Sequence, residues 1–495
     1  MTLAWSLFLL YMLGITWLGW VGHRRTADFS SFAIGRGDLS PFVVGVTLAA
    51  STASAATFII NPGFIYVHGL AAWIHFVPAT WLGFCSMLVL LSFRFRRIGE
   101  RSGALTIPHW IGQRYGSRGF ALYFAVINLL AIAFAVLIVG GISIVMQRLL
   151  GVSNVVALLI VLVSVTSYVF VGGTYAHVFT NMLQGSLMIV VAVVVLGSGL
   201  YLLGGDGPGF LDAIRGQDPD LLAAVNRSST LFNDVFSIYV AGFLVGAAVV
   251  CQPHILTKAL YVKSDRAVRD YILIFAAVFA LFALLVSVGF YARVLLSPEQ
   301  LVDLTTGAFR QDLVMTVYLQ NTMPPWVFTL VSVVLLAAAM STLDGIMIGV
   351  ATITANDLVL NLIDRNGTSG RSPEERQRLA LRTSHVVLVA LAVVTFLICL
   401  DPPRLLGIFG QVGVYGMVVA AVPPLLAGVI FTRVSLSAVW IASAVGLLIH
   451  FGLFFAGAWL FPNAPITFAN PGVSLSCAVL LTVPPVLLFH LLRRP

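Results

Sequence analysis

Apolar segments of membrane-spanning length follow one another along almost the entire chain. A helix needs about 20 mostly apolar residues to cross the hydrocarbon core of a bilayer. Thirteen segments meet this requirement: 3–22, 41–67, 70–93, 119–147, 153–172, 175–203, 231–256, 271–295, 325–356, 383–400, 404–431, 435–460 and 470–492. Charged residues make up 9% of the chain, against about 25% in soluble domains. We therefore predict an all-α integral membrane protein with about 13 transmembrane helices.

The polar stretches between these segments are too short to fold as a second, soluble domain. The longest lie near 204–230, 297–324 and 361–382. The apolar N-terminal segment lacks the basic start and the small-residue cleavage site of a signal peptide, so we interpret it as the first span. The chain is expected to be one membrane domain, 1–495, embedded in the lipid bilayer.

Lysine and arginine residues are distributed unevenly between alternate loops. If the N-terminus lies outside, 21 of the 27 basic residues face the cytoplasm, as the positive-inside rule requires. The sequence therefore predicts a multi-pass plasma membrane protein, in a bacterial inner membrane, with its N-terminus outside and its C-terminus cytoplasmic. The same asymmetry explains the net charge of +8 without a nucleic-acid partner.

Two spans have sequences that interrupt a helix. Small and hydroxylated residues fill 48–57 in the second span, ahead of Asn61-Pro62-Gly63, and the seventh span ends in Cys251-Gln252-Pro253-His254. Proline removes a backbone donor, and non-helical backbone at membrane depth survives only where it lines a cavity or is buried in protein. These segments indicate a binding site, although small residues also favour close helix packing.

The interrupted spans are five apart, as expected for two five-helix repeats of opposite topology. We accordingly predict an extra first helix at 3–22, repeats at 41–203 and 231–431, and two C-terminal helices within 435–492.

The ninth span carries a carboxylate among small residues. Ser341 and Asp344 are three residues apart and share a helix face. A carboxylate near the bilayer centre costs about 2.5–3.5 kcal/mol, so an ion or a cationic partner is expected to compensate it. Hydrogen bonds to neighbouring hydroxyls, in a purely structural role, are the alternative.

Four stretches at these positions resemble the sodium:solute symporter family, which includes the bacterial proline symporter and the sodium/glucose cotransporters. They are Gly35-Arg36-Gly37-Asp38-Leu39-Ser40, the region from Gly172-Gly173 to Thr180-Asn181-Met182-Leu183-Gln184, Gln252-Pro253-His254-Ile255, and Ala338-Ala339-Met340-Ser341-Thr342-Leu343-Asp344. The resemblance implies a LeuT-like inverted repeat, alternating access and symport of sodium with a small-molecule solute. It also implies a principal sodium site with five ligands: the carbonyls of Ala50, Ala53 and Ala338 and the hydroxyls of Ser341 and Thr342.

These positions suit a hard cation, which prefers oxygen ligands, and so favour sodium over proton coupling. One departure concerns a second ion site, for which many relatives carry an aspartate where this chain has Asn181. Asp344 lies one turn beyond Ser341, where relatives often have serine. Our hypothesis is that the carboxylate has moved to the ninth span, where Asp344 with Asn181 forms a second ion site or a proton-coupled group.

The solute is less constrained than the ion. The tyrosine and asparagine that sugar-carrying relatives place in the seventh span are missing from 244–249, which disfavours a sugar. Thr52, Ser54 and Thr57 resemble the hydroxyls that hold a carboxylate in sialic-acid-transporting relatives, and a helix break exposes N–H groups that attract anions. The sequence favours an organic acid or amino acid. His75 and Gln411 are further pocket candidates, with simple helix packing as the alternative for each.

Three rivals to sodium symport remain. A proton-coupled symporter of the same fold is kept open by Asp344. A transporter-like sensor would need a signalling partner. An enzyme is disfavoured because the chain has neither an HExxH nor a GxSxG motif. Oligomeric state is not specified by helix faces that are all apolar.

Overall fold

The computed structural model describes residues 2–35, 37, 39–204, 209–302, 307–363, 372–403 and 405–492. Within these ranges the chain is helical apart from turns, loops and one isolated bridge between Val302 and Phe309. The predicted all-α class is confirmed. Asp38 of the first motif and six of the 27 basic residues counted above lie outside the described ranges: Arg36, Arg365, Arg371, Arg404, Arg493 and Arg494.

Twenty-one α-helices are found in the described residues, numbered here in chain order. They are α1 (Thr2–His23), α2 (Phe29–Ile34), α3 (Pro41–Thr52), α4 (Asn61–Ile74), α5 (Thr80–Ser102), α6 (Ile107–Tyr115), α7 (Arg118–Ile127), α8 (Ala131–Leu150), α9 (Asn154–Gly197), α10 (Phe210–Gln217), α11 (Ala241–Val249), α12 (Pro253–Leu256), α13 (Asp265–Leu284), α14 (Val288–Leu295), α15 (Val314–Thr322), α16 (Pro325–Ile353), α17 (Asn361–Ile363), α18 (Pro373–Cys399), α19 (Leu406–Ile430), α20 (Leu436–Leu460) and α21 (Pro471–Leu492). Short π turns join several of them without ending the helical path.

The described residues contain ten helical stretches that are long and apolar enough to cross a membrane. An eleventh span follows if the bent pair Phe236–Val249 and Pro253–Tyr261 is taken as one. This count is lower than the predicted thirteen. Two of the ten, Ala56–Ser102 with 47 residues and Asn154–Leu203 with 50 residues, are more than twice the length that one span needs.

Each of these long stretches contains a glycine with non-helical dihedral angles. Gly69 has φ 65° and ψ −142°, and Gly173 has φ 51° and ψ −138°. A Cβ at Gly69 would lie 2.0 Å from the carbonyl oxygen of Leu221, and one at Gly173 would lie 2.5 Å from the ring of Phe32. Only glycine combines a positive φ with such close contact. The helical path therefore turns sharply at Gly69 and at Gly173.

The second predicted span is interrupted just after α3. Ala53 leaves the helical region, with φ −81° and ψ 77°, and its amide donates to the Ala49 carbonyl at 2.9 Å. The Ser54 hydroxyl accepts from the Ala56 amide at 3.1 Å and restarts the helix. Asn61-Pro62-Gly63 does not break the path, because the π turn Ala56–Ile60 leads directly into α4 and the backbone stays helical at Ile60 and Asn61.

The seventh predicted span is also broken. α11 and α12 belong to helical segments that meet at 65°, and Gln252 between them is extended, with φ −67° and ψ 139°. Both interruptions therefore lie where the sequence predicted them.

α16 and α19 form the centre of the molecule. The most apolar parts of these helices are 78% and 94% buried, whereas those of α1 and α20 are each 28% buried. α16 crosses the end of α3 at the first break, so hydroxyls on a buried helix meet the carbonyls of an interrupted one.

Candidate ion and solute site

Ser341 lies between two carbonyl oxygens at the break of α3. Its Oγ is 2.9 Å from the Ala50 oxygen and 2.6 Å from the Ala338 oxygen. All three residues are completely buried. Three of the five predicted sodium ligands are therefore brought together.

The other two predicted ligands lie at the same break. The Thr342 hydroxyl donates to the Ser51 carbonyl at 2.9 Å, one residue from Ala50. The Ala53 carbonyl accepts no backbone hydrogen bond from the described residues, as expected for the last carbonyls of a helix that stops. Oxygen donors of this kind suit a hard cation, so the residues present fit sodium.

Asp344 is completely buried and its carboxylate is held from α9. His177 Nδ1 lies 2.8 Å from Oδ1, and the hydroxyls of Tyr168 and Thr180 donate to Oδ2 at 3.1 and 3.3 Å. The hydrogen-bonded alternative for this carboxylate is thus realised. An ion in addition to these partners remains a prediction.

Asn181 connects α9 to both helices of the sodium site. Its Nδ2 donates to the Ser51 hydroxyl at 2.8 Å and to the Ser341 carbonyl at 2.9 Å. Its Oδ1 is buried without a hydrogen-bond partner in the described part of the chain. No direct hydrogen bond joins Asn181 to Asp344 among the described residues. One amide oxygen therefore remains available for a ligand.

Lys258 is a buried cation that the sequence analysis missed. Its exposure is 0%, and its Nζ donates to the Thr47 carbonyl and the Ser51 hydroxyl, each at 2.9 Å. The positive-inside count treats Lys258 as a loop charge, whereas the turn after α12 places its ammonium group against α3. Its position four residues after His254, directly beyond a helix break, was the only signal in the sequence.

Lys258 and Asp344 provide opposite charges within one buried network. Ser51 and Asn181 link the lysine to the backbone of α16, three residues before the carboxylate. Either charge alone in this low-dielectric region would carry a large desolvation cost. The attraction between the two, unscreened by water, offsets part of that cost.

A small cavity lies beside this network. Its volume is about 20 Å³, and His177, His254, Thr257 and Gly345 contribute to its walls. That volume is enough for one water molecule. The Nε2 atom of His254 is buried there without a partner among the described residues.

The profile of the sodium:solute symporter family matches residues 32–446, most of the chain. The chain belongs to the sodium:solute symporter family. The resemblance inferred from four short stretches is thereby confirmed, and so is the conclusion that the protein is a membrane transporter and not an enzyme.

Three relatives of this chain are named for the transport of sodium with a small solute. A sodium/pantothenate symporter from Haemophilus influenzae is 26% identical over 407 residues, covering 81% of this chain and 79% of the relative. A sodium/proline symporter from Escherichia coli is 24% identical over 453 residues, covering 89% and 86%. Sodium/glucose cotransporter 1 from Oryctolagus cuniculus is 32% identical over 122 residues, covering 24% and 18%.

Solved structures show the same fold. A Na+-coupled sialic acid symporter in a substrate-bound, outward-open state superposes with a TM-score of 0.75, at 15% identity and 98% coverage of both chains. A nucleobase-cation-symport-1 family transporter in a closed conformation gives 0.51, at 14% identity, covering 92% of this chain and 93% of that one. At these identities the likeness concerns fold alone.

The three hydroxyl residues predicted to contact the solute lie at the first helix break, between α3 and α4. Thr52 donates to the Leu48 carbonyl at 2.7 Å, and Ser54 accepts from the Ala56 amide. No side-chain hydrogen bond of Thr57 is found in the described residues. Thr52 and Thr57 are half-buried, whereas Ala53 and Ser54 between them are buried. One face of the break is therefore accessible.

The two other solute candidates lie on different helices. His75 Nδ1 is 2.9 Å from the Ser237 carbonyl, and its ring contacts Phe76 and Phe232 with centroid distances of 4.9 and 5.1 Å. Its polar group is thus used in helix packing. Gln411 on α19 is half-buried. No hydrogen bond in the described residues joins either side chain to Thr52, Ser54 or Thr57.

Proposed function

We propose that this protein is a sodium-coupled secondary active symporter of a small solute that carries a carboxylate, an organic acid or an amino acid. The observation that carries the proposal is the cluster of Ser341, Ala50 and Ala338 oxygens at the break of α3. Membership of the sodium:solute symporter family supports sodium as the coupling ion.

In the structure, the hydroxyls of Ser341 and Thr342 donate hydrogen bonds to backbone carbonyls at the break of α3. In the proposed site, the same two hydroxyl oxygens bind sodium instead. The carbonyls of Ala50, Ala53 and Ala338 complete the ligand set. Because Ala50 and Ala53 belong to the interrupted helix and the other three to α16, the ion holds two separate elements together. Alternating access follows if these elements separate when sodium leaves.

The proposed topology has thirteen spans in a LeuT-like arrangement. Dividing the two long helical stretches at Gly69 and Gly173 raises the count of eleven to thirteen. The extra helix is 3–22, the inverted repeats are 41–203 and 231–431, and the N-terminus is outside. The match in fold to the sialic acid symporter supports this arrangement.

The carboxylate preference has two supports. Pantothenate, proline and sialic acid, named for the two relatives and the structural neighbour, all carry one. Thr57 is half-buried and has no side-chain hydrogen bond in the described residues, so its hydroxyl is available beside the break, and a break of this kind attracts anions. Gln411 is a further candidate contact, whereas His75 is proposed only as part of the wall.

We propose a second ion-responsive site at Asp344 and Asn181. The buried, unpartnered Oδ1 of Asn181 offers one oxygen, and Asp344 offers negative charge on the neighbouring helix. Proton coupling is the second candidate function, favoured by the contact between the Asp344 carboxylate and His177. Transport that follows a pH gradient without sodium would support it.

Uptake by proteoliposomes tests the proposal. We expect labelled proline, pantothenate or another carboxylate to accumulate when sodium is high outside, and no accumulation with potassium or choline. Thr57→Val should raise the half-saturating solute concentration about tenfold, which corresponds to about 1.4 kcal/mol, without changing the sodium requirement. Uptake of a neutral sugar in preference to every carboxylate would contradict the substrate class. Uptake indifferent to sodium would contradict the coupling.

A further inference from the structure

Five arginines surround one large cavity at the arginine-rich end of the helices. The cavity has a volume of about 1210 Å³ and receives Arg94, Arg97, Arg101, Arg114 and Arg433. No aspartate or glutamate of the described residues lines it. A concave surface with five cations and no lining anion attracts a negatively charged ligand.

Two of the arginines bind the end of α19 and keep their charge. Arg94 donates to the carbonyls of Val429 and Ile430 at 2.9 and 3.1 Å. Arg114 donates to the carbonyls of Gly428 and Phe431 at 2.9 and 2.5 Å. A helix C-terminus carries only a partial negative charge, so these contacts position the guanidinium groups without neutralising them.

The other three arginines differ in their partners. Arg97 forms an ion pair with Asp265, which stands outside the cavity. Arg101 and Arg433 are exposed, and neither has a hydrogen bond or ion pair in the described part of the chain. Two guanidinium groups are therefore free to bind a ligand.

The cavity lies where lipid-facing helix surfaces end. On α5, Leu82 and Leu90 are 51% and 48% exposed, and Arg97 and Arg101 continue that surface at helical spacing. On α21, Leu488 is 56% exposed next to Phe489, which lines the cavity. An apolar surface that turns basic along α5 marks the level of the phosphates in a bilayer.

The geometry points to a binding site for the phosphate headgroup of an anionic phospholipid, with Arg101 and Arg433 as its free ligands. Guanidinium groups bind phosphate oxygens through paired N–H donors. The apolar side chains of Ile98, Val434 and Phe489 in the same wall receive the start of the acyl chains. Basic pockets between membrane helices at the cytoplasmic side are suited to such headgroups. The bound lipid joins α5, α19 and α21.

Native mass spectrometry on the purified full chain in neutral detergent tests this site. Phosphatidylglycerol is the probe, phosphatidylcholine the neutral reference, and inorganic phosphate and a polyglutamate peptide the competing anions. We expect wild-type protein to retain phosphatidylglycerol at concentrations where phosphatidylcholine dissociates. Arg101→Gln with Arg433→Gln should weaken retention at least tenfold.

The matched control is Arg378→Gln with Arg382→Gln, which removes two exposed arginines of α18 and the same net charge. Retention in this control should stay within twofold of wild type. Equal loss in both double variants would overturn the site, since net charge alone would then explain binding. Tighter binding of free phosphate or of the peptide than of phosphatidylglycerol would overturn the lipid as its occupant.

A second measurement needs no variant and remains decisive if the substituted protein fails to fold. Photoactivatable phosphatidylglycerol should cross-link wild-type protein within 94–101 or 428–435. Cross-links confined to other segments would overturn the proposal.

Discussion

At the scale of single residues, the molecule places opposite charges where neither can meet water. Lys258 and Asp344 each have an exposure of 0%. The two groups form no direct ion pair in the described residues, but removing either one leaves the other as a buried charge without its counter-charge, which typically costs about 3–5 kcal/mol. The hydroxyls and a neutral His177 hydrogen-bond to the Asp344 carboxylate but bring no opposite charge to it. We infer that Lys258 and Asp344 depend on each other.

A double-mutant cycle tests that dependence. Asp344→Asn and Lys258→Met should each lower thermal stability by about 3 kcal/mol. The double variant should lose less than the sum, with a coupling energy of about 1–3 kcal/mol, because no charge is left unpaired. The measurement is detergent-solubilised unfolding followed by tryptophan fluorescence. Strict additivity would show that the two charges are independent.

The control pair for this cycle lies on the surface. Arg378→Met combined with Asp344→Asn should be additive, since Arg378 is exposed and belongs to α18.

Sequence alone predicted Ser341, Thr342 and Asp344 but not Lys258. The first three lie within one apolar helix, where any polar group is conspicuous. Lys258 sits in a short polar segment between two spans, where a basic residue is expected for topology. Its burial depends on the turn after α12 folding against α3. The hydrophobic periodicity of the sequence does not predict a tertiary contact of this kind.

At the scale of elements, glycines set where the long helices bend. Gly69 and Gly173 combine positive φ with backbone or ring atoms closer than a Cβ permits. Gly103 also has a positive φ, 64°, but nothing lies within 4 Å of its Cβ position. A substitution at Gly103 would therefore introduce backbone strain alone, whereas one at Gly69 or Gly173 would add steric crowding to that strain.

Alanine substitutions at these glycines should therefore rank in a fixed order. Gly103→Ala should cost about 1–2 kcal/mol, the cost of a left-handed non-glycine residue. Gly69→Ala should cost clearly more, because its Cβ would meet the Leu221 carbonyl at 2.0 Å. Gly197 lies in α9 with helical dihedral angles, and nothing lies within 4 Å of its Cβ position. Gly197→Ala should therefore be neutral or slightly stabilising. Melting temperatures measure the series, and equal effects at Gly69 and Gly103 would contradict the crowding argument.

The interrupted helices were predictable in position but not in detail. Small residues and proline located both breaks. In the first, the actual interruption falls at Ala53 and Ser54, whereas the π turn Ala56–Ile60 carries the helical path past Pro62. Composition locates a weak helix, whereas the residue at which it stops depends on capping and packing.

At the scale of the whole molecule, the distribution of basic residues should fix orientation in the membrane. The positive-inside rule predicts that Arg433 is cytoplasmic and that Arg227 is outside. Both side chains are exposed, so both positions are accessible to a reagent on the appropriate side.

Cysteine labelling of intact cells tests this orientation. A membrane-impermeant maleimide should label Arg227→Cys in intact cells and Arg433→Cys only after the membrane is opened. The wild-type chain, with its four cysteines buried or half-buried, provides the background. The reverse pattern would place the N-terminus inside and invert the proposed topology.

The most direct test of the central claim is sodium-dependent stability of the purified protein. We predict that sodium, unlike potassium or choline, raises the melting temperature, because an ion bound only to the folded state stabilises it by mass action. Ser341→Ala with Thr342→Ala should raise the half-saturating sodium concentration at least tenfold, about 1.4 kcal/mol. Ser332→Ala, a buried serine of the same helix with no hydrogen-bond partner in the described residues, should leave it unchanged. A sodium shift that persists undiminished in the Ser341/Thr342 variant, or is absent from wild type, would contradict the proposed site.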